Sequence, residues 1–227
     1  MKLPPLNILN TNSLADGLYD ALKEAIIQGK LKSGDKLTEL TIASHANISR
    51  TPVREALHRL LNEGMLEQSG RSLIVSKVSL EALSELCVIR ETLEGLAARL
   101  TAIKRSESDI LALESLNEEF EKSMQEGNSE EIIKNNNFFH FFIWQASQNL
   151  YLKNELSMLR ESIERMQTST LHSEKRQIET LEEHRAILEA IKNSDAEKAE
   201  LLTREHFRKA EAIRLTMLRM KALRDPD

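Results

Sequence analysis

The sequence is poor in residues that break or crosslink a chain. It contains only 7 glycines, 4 prolines and 1 cysteine in 227 residues. Because Cys87 is the single cysteine, the chain cannot form an internal disulfide, which is typical of proteins from a reducing compartment. The scarcity of turn-forming residues, with 41% hydrophobic and 30% charged residues, argues against a β-sandwich and against a disordered chain. The composition therefore predicts a mainly α-helical protein.

Long apolar runs are missing as well. No stretch approaches the roughly 20 apolar residues that a helix needs to cross a bilayer. The first segment, MKLPPLNILNTNS, lacks the apolar core and the small-residue cleavage site of a secretory signal. We therefore expect a cytoplasmic protein with no membrane partner.

Acidic residues outnumber basic residues by 36 to 31, but the two kinds of charge are unevenly distributed. Residues 1–78 carry 10 basic and 8 acidic residues, whereas residues 79–227 carry 21 basic and 28 acidic residues. Opposite signs in the two parts indicate different partners. Together with the patterns below, this difference predicts two domains, 1–78 and 79–227.

The first domain shows the pattern of a winged helix-turn-helix. Ser13 and Asp16 resemble a capping box before a helix with one apolar face. A second short helix is followed by Asn47, which tolerates the left-handed conformation of a tight turn. A third helix begins at Ser49 and ends at Gly64. Two short strand-like segments then form a hairpin.

The third helix carries a polar and mainly basic face with little nearby in sequence to neutralise it. The residues on this face, opposite Val53 and Leu57, are Arg50, Thr51, Arg54 and His58. A helix that enters the DNA major groove presents such a face from its N-terminal turns, where arginine binds guanine or phosphate. Arg71, at the hairpin tip, is placed to reach phosphate or the minor groove. The alternative is a solvated face of a small structural domain.

The second domain is divided by helix breakers into about six helices with short connections, which indicates an antiparallel helical bundle. His140, His184 and His206 each lie within a strongly patterned helix, and Asn136 lies one turn before His140. Three imidazoles with an open position are a known arrangement for a divalent metal. The alternative is that each histidine is an ordinary hydrogen-bonded or exposed residue.

The first domain also resembles a known family. The segment GKLKSGDKLTELTIASHANISRTPVREALHRLLNEGML is similar to the winged-helix domain of the GntR family of bacterial transcription regulators. The resemblance implies operator contacts by Arg50, Thr51 and Arg54, with Ser49 at a phosphate. Leu40 stands where some members place a DNA-contacting arginine, so we expect fewer contacts from the second helix.

The second domain resembles the all-helical, FCD-type effector domain of FadR-like members of this family. The similar segments are VIRETLEGLAARLTA, NNNFFHFFIWQASQN, EEHRAILEAIKNSDAEKAE and REHF. By position, the resemblance implies a divalent metal such as zinc, nickel or manganese, bound by Asn136, His140, His184 and His206. Asn136 replaces the expected Asp, and an amide oxygen brings no negative charge. We therefore expect a weaker site, or one that depends on an anionic effector.

Arg90 is the candidate effector-binding residue. It matches a family element in which an arginine often faces the effector, and a guanidinium suits a carboxylate. The alternative is an ion pair with Glu94 on the helix surface.

These features predict a homodimeric, ligand-responsive transcription regulator, with repression as the expected sign. It would bind double-stranded operator DNA and sense a small organic acid. One alternative is a metal-dependent hydrolase built on the helical domain, although the chain has no HExxH, GxSxG or P-loop motif. The other is a DNA-binding protein without an effector, which a fully packed bundle interior would favour.

Overall fold

The computed structural model describes residues 13–70, 72–77, 79–164 and 169–224. The chain divides into two compact units, and the boundary between them falls between Ser79 and Leu80. A short segment that starts at Glu161 groups with the first unit. Arg71 lies outside the described residues.

The first unit is a winged helix-turn-helix, as predicted. Its elements are α1 (Leu14–Ile27), β1 (Lys36–Leu37), α2 (Glu39–Ala46), α3 (Arg50–Asn62), β2 (Leu66–Ser69) and β3 (Ser72–Val75). The side chain of Ser13 accepts a hydrogen bond from the Asp16 backbone, which caps α1. Asn47 adopts the left-handed conformation with φ 54° and ends α2. These local signals therefore set the start of α1 and the turn before α3.

A small antiparallel sheet forms the wing of the first unit. The strand order is β1-β3-β2, and Leu66 pairs with Val75 in the β2–β3 hairpin. The strand β1, with only two residues, has no sequence signal of its own and pairs with β3. The three helices and the sheet enclose one apolar core. Its fully buried side chains include Leu18, Leu22, Ile42, Val53 and Leu60.

The second unit is helical throughout its described part. Its elements are α4 (Leu80–Lys104), α5 (Glu107–Gln125), α6 (Ser129–Ala146), α7 (Leu150–Glu164), α8 (Glu174–Lys192) and α9 (Ala196–Arg224). Ser106 and Asp109 form a reciprocal capping box at the start of α5. Ion pairs between Glu121 and Arg185 and between Glu114 and Lys192 show that α5 and α8 run antiparallel. The mainly α-helical fold class is therefore confirmed.

Small residues allow α4 to pack closely against α9. Ala97, Ala98 and Ala199 are fully buried. A Cβ atom added at Gly95 would come within 2.5 Å of Cγ of Arg204. This close packing brings polar residues of α4 and α9 into the bundle interior. In the part of the chain that the structure describes, no helix is both long and apolar enough to cross a membrane.

Candidate functional site

The predicted DNA-contacting face of α3 is exposed to solvent. Arg50, Thr51, Arg54 and His58 are all exposed, whereas Val53 and Leu57 on the opposite face are buried in the core. Ser49 is at the N-cap position of α3, although its side chain makes no capping hydrogen bond. The helix therefore presents these side chains together, as its periodicity predicts.

The two arginines on this face share a carboxylate, contrary to the expectation that little neutralises them. Glu39, the first residue of α2, accepts hydrogen bonds from Arg50 Nη2 at 2.8 Å and from Arg54 Nε at 2.8 Å. Hydrogen bonds from Arg54 and then Arg50 lower the pKa of Glu39 to about 2. Glu39 lies 11 and 15 positions away in sequence and on another helix, so helical spacing could not identify it.

The three histidines predicted as metal ligands converge in the second unit. Nε2 of His140 lies 3.3 Å from Nε2 of His184 and 3.2 Å from Nε2 of His206. One ring nitrogen from each histidine lies within 4.8 Å of the others. All three side chains are buried, and Phe139 stacks on the His184 ring with a centroid separation of 4.1 Å. The helices α6, α8 and α9 each contribute one imidazole to this cluster, which we call the histidine cluster.

Burial keeps the three imidazoles neutral near pH 7. Loss of solvation lowers the pKa of all three, and their mutual proximity lowers those of His140 and His184 further. Neutral imidazole is the form that binds a metal. The Nε2 spacings match those of nitrogens that share one first-row ion at about 2.0–2.1 Å. An imidazole with its proton on Nδ1 presents an Nε2 lone pair, and three such lone pairs that face one another suit a cation.

Glu183 holds one of these histidines in place. Its Oε2 lies 2.7 Å from Nδ1 of His206, which fits an Nδ1–H donor and leaves the His206 Nε2 lone pair facing the cluster. Arg176 and Lys209 also bind this carboxylate, at 2.8 and 3.1 Å. Burial raises the pKa of Glu183, but the hydrogen bonds from His206 and Arg176 outweigh it and hold the pKa below its usual value.

The other two histidines lack such a partner. Nδ1 of His140 and Nδ1 of His184 are buried without a hydrogen-bond partner among the described residues. Asn136, the fourth predicted ligand, is one turn before His140 on α6 and makes a 3.5 Å hydrogen bond to Asn137. The structure therefore brings the three histidines together, and the hydrogen bond that it describes for Asn136 is to Asn137.

Arg90 is buried next to the histidine cluster. It donates hydrogen bonds to Glu94 at 3.1 Å and to Glu211 at 3.2 Å. The pair with Glu94 thus forms, but in the interior and not on the helix surface. The Phe207 ring lies 4.5 Å from the Arg90 guanidinium and 4.7 Å from the His140 ring.

The carboxylate of Glu94 is unusual for its burial. Trp144 Nε1 donates a hydrogen bond to it at 2.6 Å. Burial nevertheless raises the pKa of Glu94 to about 6, since it outweighs the opposing effects of Arg90 and Trp144. The neighbourhood of Arg90 therefore already holds two acidic groups.

A cavity between α8 and α9 reaches the histidine cluster. Its volume is about 450 Å³, and its polar lining is formed by His206, Lys209, Glu179, Glu182, Glu183 and Glu205. The cavity therefore meets the histidine cluster at His206 and is lined mainly by carboxylates.

Comparison with known proteins identifies the family. Residues 14–75 match the model of bacterial regulatory proteins of the gntR family, and residues 85–209 match the FCD domain. The chain is 31% identical over 191 residues to the uncharacterized HTH-type transcriptional regulator YdhC of Bacillus subtilis, covering 83% of this chain and 85% of YdhC. The chain belongs to the GntR family of bacterial regulatory proteins.

Other relatives of this GntR regulator agree with the assignment. A protein of Paenarthrobacter nicotinovorans named "Probable D-xylose utilization operon transcriptional repressor" is 30% identical over 206 residues, covering 87% of each chain. The solved structure of E. coli McbR/YncC has a TM-score of 0.72 and 26% identity, covering 92% of this chain and 99% of that one. The family and these relatives are transcription regulators and not enzymes. The hydrolase alternative is therefore set aside.

Proposed function

We propose that this GntR regulator is a homodimeric, metal-assisted sensor of a small carboxylate, and that carboxylate binding releases it from DNA as a repressor. The observation that carries the proposal is the convergence of three buried, neutral imidazoles beside Arg90. The relative named as a repressor supports the sign of regulation. Action on chromosomal DNA implies a cytoplasmic location.

The first unit is proposed to bind the operator. Helix α3 would enter the major groove with the exposed face described above. The proposed contacts are Ser49, Arg50, Thr51, Arg54 and His58, with Arg71 from the hairpin. The arginines would read guanine or bind phosphate, and Thr51 would contact phosphate or a thymine methyl group.

Charge explains why the proposed effector is an anion. A divalent ion held by three neutral imidazoles would supply Lewis acidity and open coordination positions for an oxygen ligand. Neither the imidazoles nor Asn136 neutralise that charge. The carboxylate of Glu183 binds one candidate ligand, His206. Its negative charge is already paired with Arg176 and Lys209. A carboxylate effector would therefore complete the neutralisation of the site.

Arg90 is proposed as the second anchor of the effector. Its hydrogen bonds to Glu94 and Glu211 use only part of the five N–H donors of a guanidinium. Because Glu94 and Glu211 each accept one of these five N–H groups, the remaining donors can bind a carboxylate ligand without displacing either partner. A coupling of about 1–3 kcal/mol between this site and the DNA-binding unit is sufficient for a ligand response.

Metal content and acid response test this proposal together. Untagged protein should contain a stoichiometric divalent metal, and one member of a panel of small carboxylic acids should raise the unfolding midpoint. An acid at about a hundred times its dissociation constant adds about 2.7 kcal/mol, which raises the midpoint by about 5–10 °C for a chain of this size. Elemental analysis and thermal shift assays measure the two effects.

Two controls separate the metal from the acid. The Arg90→Lys variant, which keeps the charge but loses the bidentate fork, should retain metal and lose most of the acid response. Chelated protein should lose the acid response. Protein that carries no metal and responds to no acid, even after loading with zinc, nickel or manganese, would contradict the proposed sensor while leaving the family unchanged.

A second copy of the chain is proposed to pack along α4. Ile89, Leu96 and Ile103 recur every seven residues on this helix and are 51%, 36% and 59% exposed. A seven-residue apolar repeat is the pattern by which helices pair along their length. In a two-fold dimer the same stripe meets itself, and the symmetry would match a palindromic operator.

Mutation of this stripe tests the dimer. The Leu96→Glu, Ile103→Glu double variant should elute with the mass of one chain, 25.9 kDa, because paired carboxylates would meet across the axis. Leu111→Glu, on α5 and 64% exposed in the described structure, is the matched control and should remain dimeric. Light scattering coupled to gel filtration reads the mass, and a double variant that stays dimeric would place the interface elsewhere.

A further inference from the structure

We propose that Glu39 determines the DNA specificity of this regulator by orienting Arg50 and Arg54 and by cancelling one of their two positive charges. This inference rests on the proposed contacts of the two arginines with DNA. In this role Glu39 is a positioning residue that acts through the arginines.

The carboxylate of Glu39 is held on a fixed support. Glu39 is the first residue of α2, and the Thr38 side chain caps that helix by accepting a hydrogen bond from the Thr41 backbone. The positive end of the helix dipole favours an acidic side chain at this position. Ile42, in the next turn, is fully buried in the core of the unit. The helix therefore presents the carboxylate from a rigid element to α3.

The four hydrogen bonds use the same edge of both guanidinium groups. Arg50 donates from Nε at 3.2 Å and from Nη2 at 2.8 Å, both to Oε2. Arg54 donates from Nε to Oε1 at 2.8 Å and from Nη2 to Oε2 at 3.0 Å. Each guanidinium has five N–H donors, so the Nη1 side of each fork remains able to reach a base edge. Glu39 thus restricts the rotamers of both arginines before DNA arrives, which lowers the entropic cost of a bidentate contact.

Net charge gives the second effect. Two arginines and one carboxylate carry a net charge of +1 where the arginines alone would carry +2. Non-specific DNA affinity depends on how many phosphates a protein neutralises, and each contributes about 0.9 to the slope of log affinity against log salt. Glu39 therefore weakens binding to any duplex, while its orienting effect favours only duplexes with guanine in the correct place.

Stability does not explain the arrangement. The side chains of Arg50 and Arg54 are 62% and 59% exposed, and exposed ion pairs contribute little to folding free energy. Glu39 lowers the positive charge of the proposed DNA-binding face without a large gain in folding free energy. An increase in DNA specificity accounts for its presence there.

Three variants separate charge from orientation. Glu39→Gln removes the charge and keeps the shape, and Glu39→Asp keeps the charge and withdraws the carboxylate. Glu55→Gln removes the same charge from an exposed position on α3 that makes no described contact with Arg50 or Arg54. Affinities are measured at several salt concentrations for two duplexes, namely the one that the wild-type protein enriches most from a random library and a scrambled version of it.

The expected results differ for each variant. Glu39→Gln should lower the ratio of affinities for the enriched and scrambled duplexes by about tenfold and steepen the salt slope on scrambled DNA by about one. Glu39→Asp should lower the ratio without changing the slope. Glu55→Gln should raise both affinities and keep the ratio.

Two results would overturn the inference in distinguishable ways. If Arg54→Ala loses the preference for the enriched duplex but Glu39→Gln and Glu39→Asp keep it, Glu39 has no role in specificity and the DNA contacts stand. If Arg54→Ala itself keeps the preference, the proposed DNA contact fails and the inference about Glu39 fails with it. Thermal unfolding of each variant confirms that the fold is retained.

Discussion

Replacement of Arg54 by alanine should weaken binding to the enriched duplex by about 1–3 kcal/mol, or about 5-fold to 150-fold, and should relax specificity at one base position. Arg54 is exposed and points away from the core side of α3, where Val53 and Leu57 are buried. Its loss removes a bidentate donor without creating a cavity. Folding should therefore be unaffected, because Glu39 retains its partner Arg50.

Fluorescence anisotropy with the enriched and the scrambled duplex measures this effect. Arg59→Ala is a suitable control on the same helix, since Arg59 binds Asp16 at 2.7 Å and lies 3.8 Å from the centroid of the Tyr19 ring. This control should change affinity for both duplexes equally, if at all. Equal wild-type affinity for the two duplexes would show that the α3 face provides no sequence readout.

The α3 face could be predicted from sequence because the information is local. Helical periodicity separates Val53 and Leu57 from the polar positions between them, and a left-handed Asn47 fixes the turn before the helix. The contacts of that face could not be predicted in the same way. Glu39 lies on another helix, and only the packing of α2 against α3 brings it to Arg54.

The histidine cluster shows the same division. Each histidine could be placed on a helix from its surroundings in sequence, and the family resemblance indicated which three would meet. The partner of His206 could not be predicted, because Glu183 is next to His184 in sequence but binds His206 on the neighbouring helix. Side chains adjacent on one helix point about 100° apart, which is why Glu183 faces α9 while His184 faces the interior.

Arg90 illustrates a different difficulty. Its spacing to Glu94 predicts an ion pair, which forms, but spacing does not reveal that the pair is buried. Burial follows from the close approach of α4 and α9, which also brings Glu211 to Arg90 from 121 positions away. Small residues such as Ala97 and Ala199 permit that approach. The sequence pattern within one helix does not indicate how closely another helix packs against it.

Removal of His184 should have the largest effect on the second unit. His184 is fully buried, stacks on Phe139 and supplies one of three imidazole nitrogens. We choose His184→Phe along with His184→Ala, because phenylalanine fills the space without offering a ligand atom. Both variants should purify without the metal, whereas His172→Ala, which changes an exposed histidine, should retain it. Elemental analysis and competition with a chelator measure the loss.

Two further substitutions make the metal assignment quantitative. Glu183→Gln should weaken metal affinity by about 10–100-fold, since loss of a partner that orients a ligating histidine typically has that effect.

Asn136→Asp should strengthen metal binding and weaken the response to a carboxylate, because the new negative charge takes over part of the neutralisation that we assign to the effector. If His184→Phe keeps its metal, His184 is structural and is not a metal ligand. If Asn136→Asp strengthens both metal and acid binding, the effector does not serve as the missing anion, and its recognition depends on Arg90 instead.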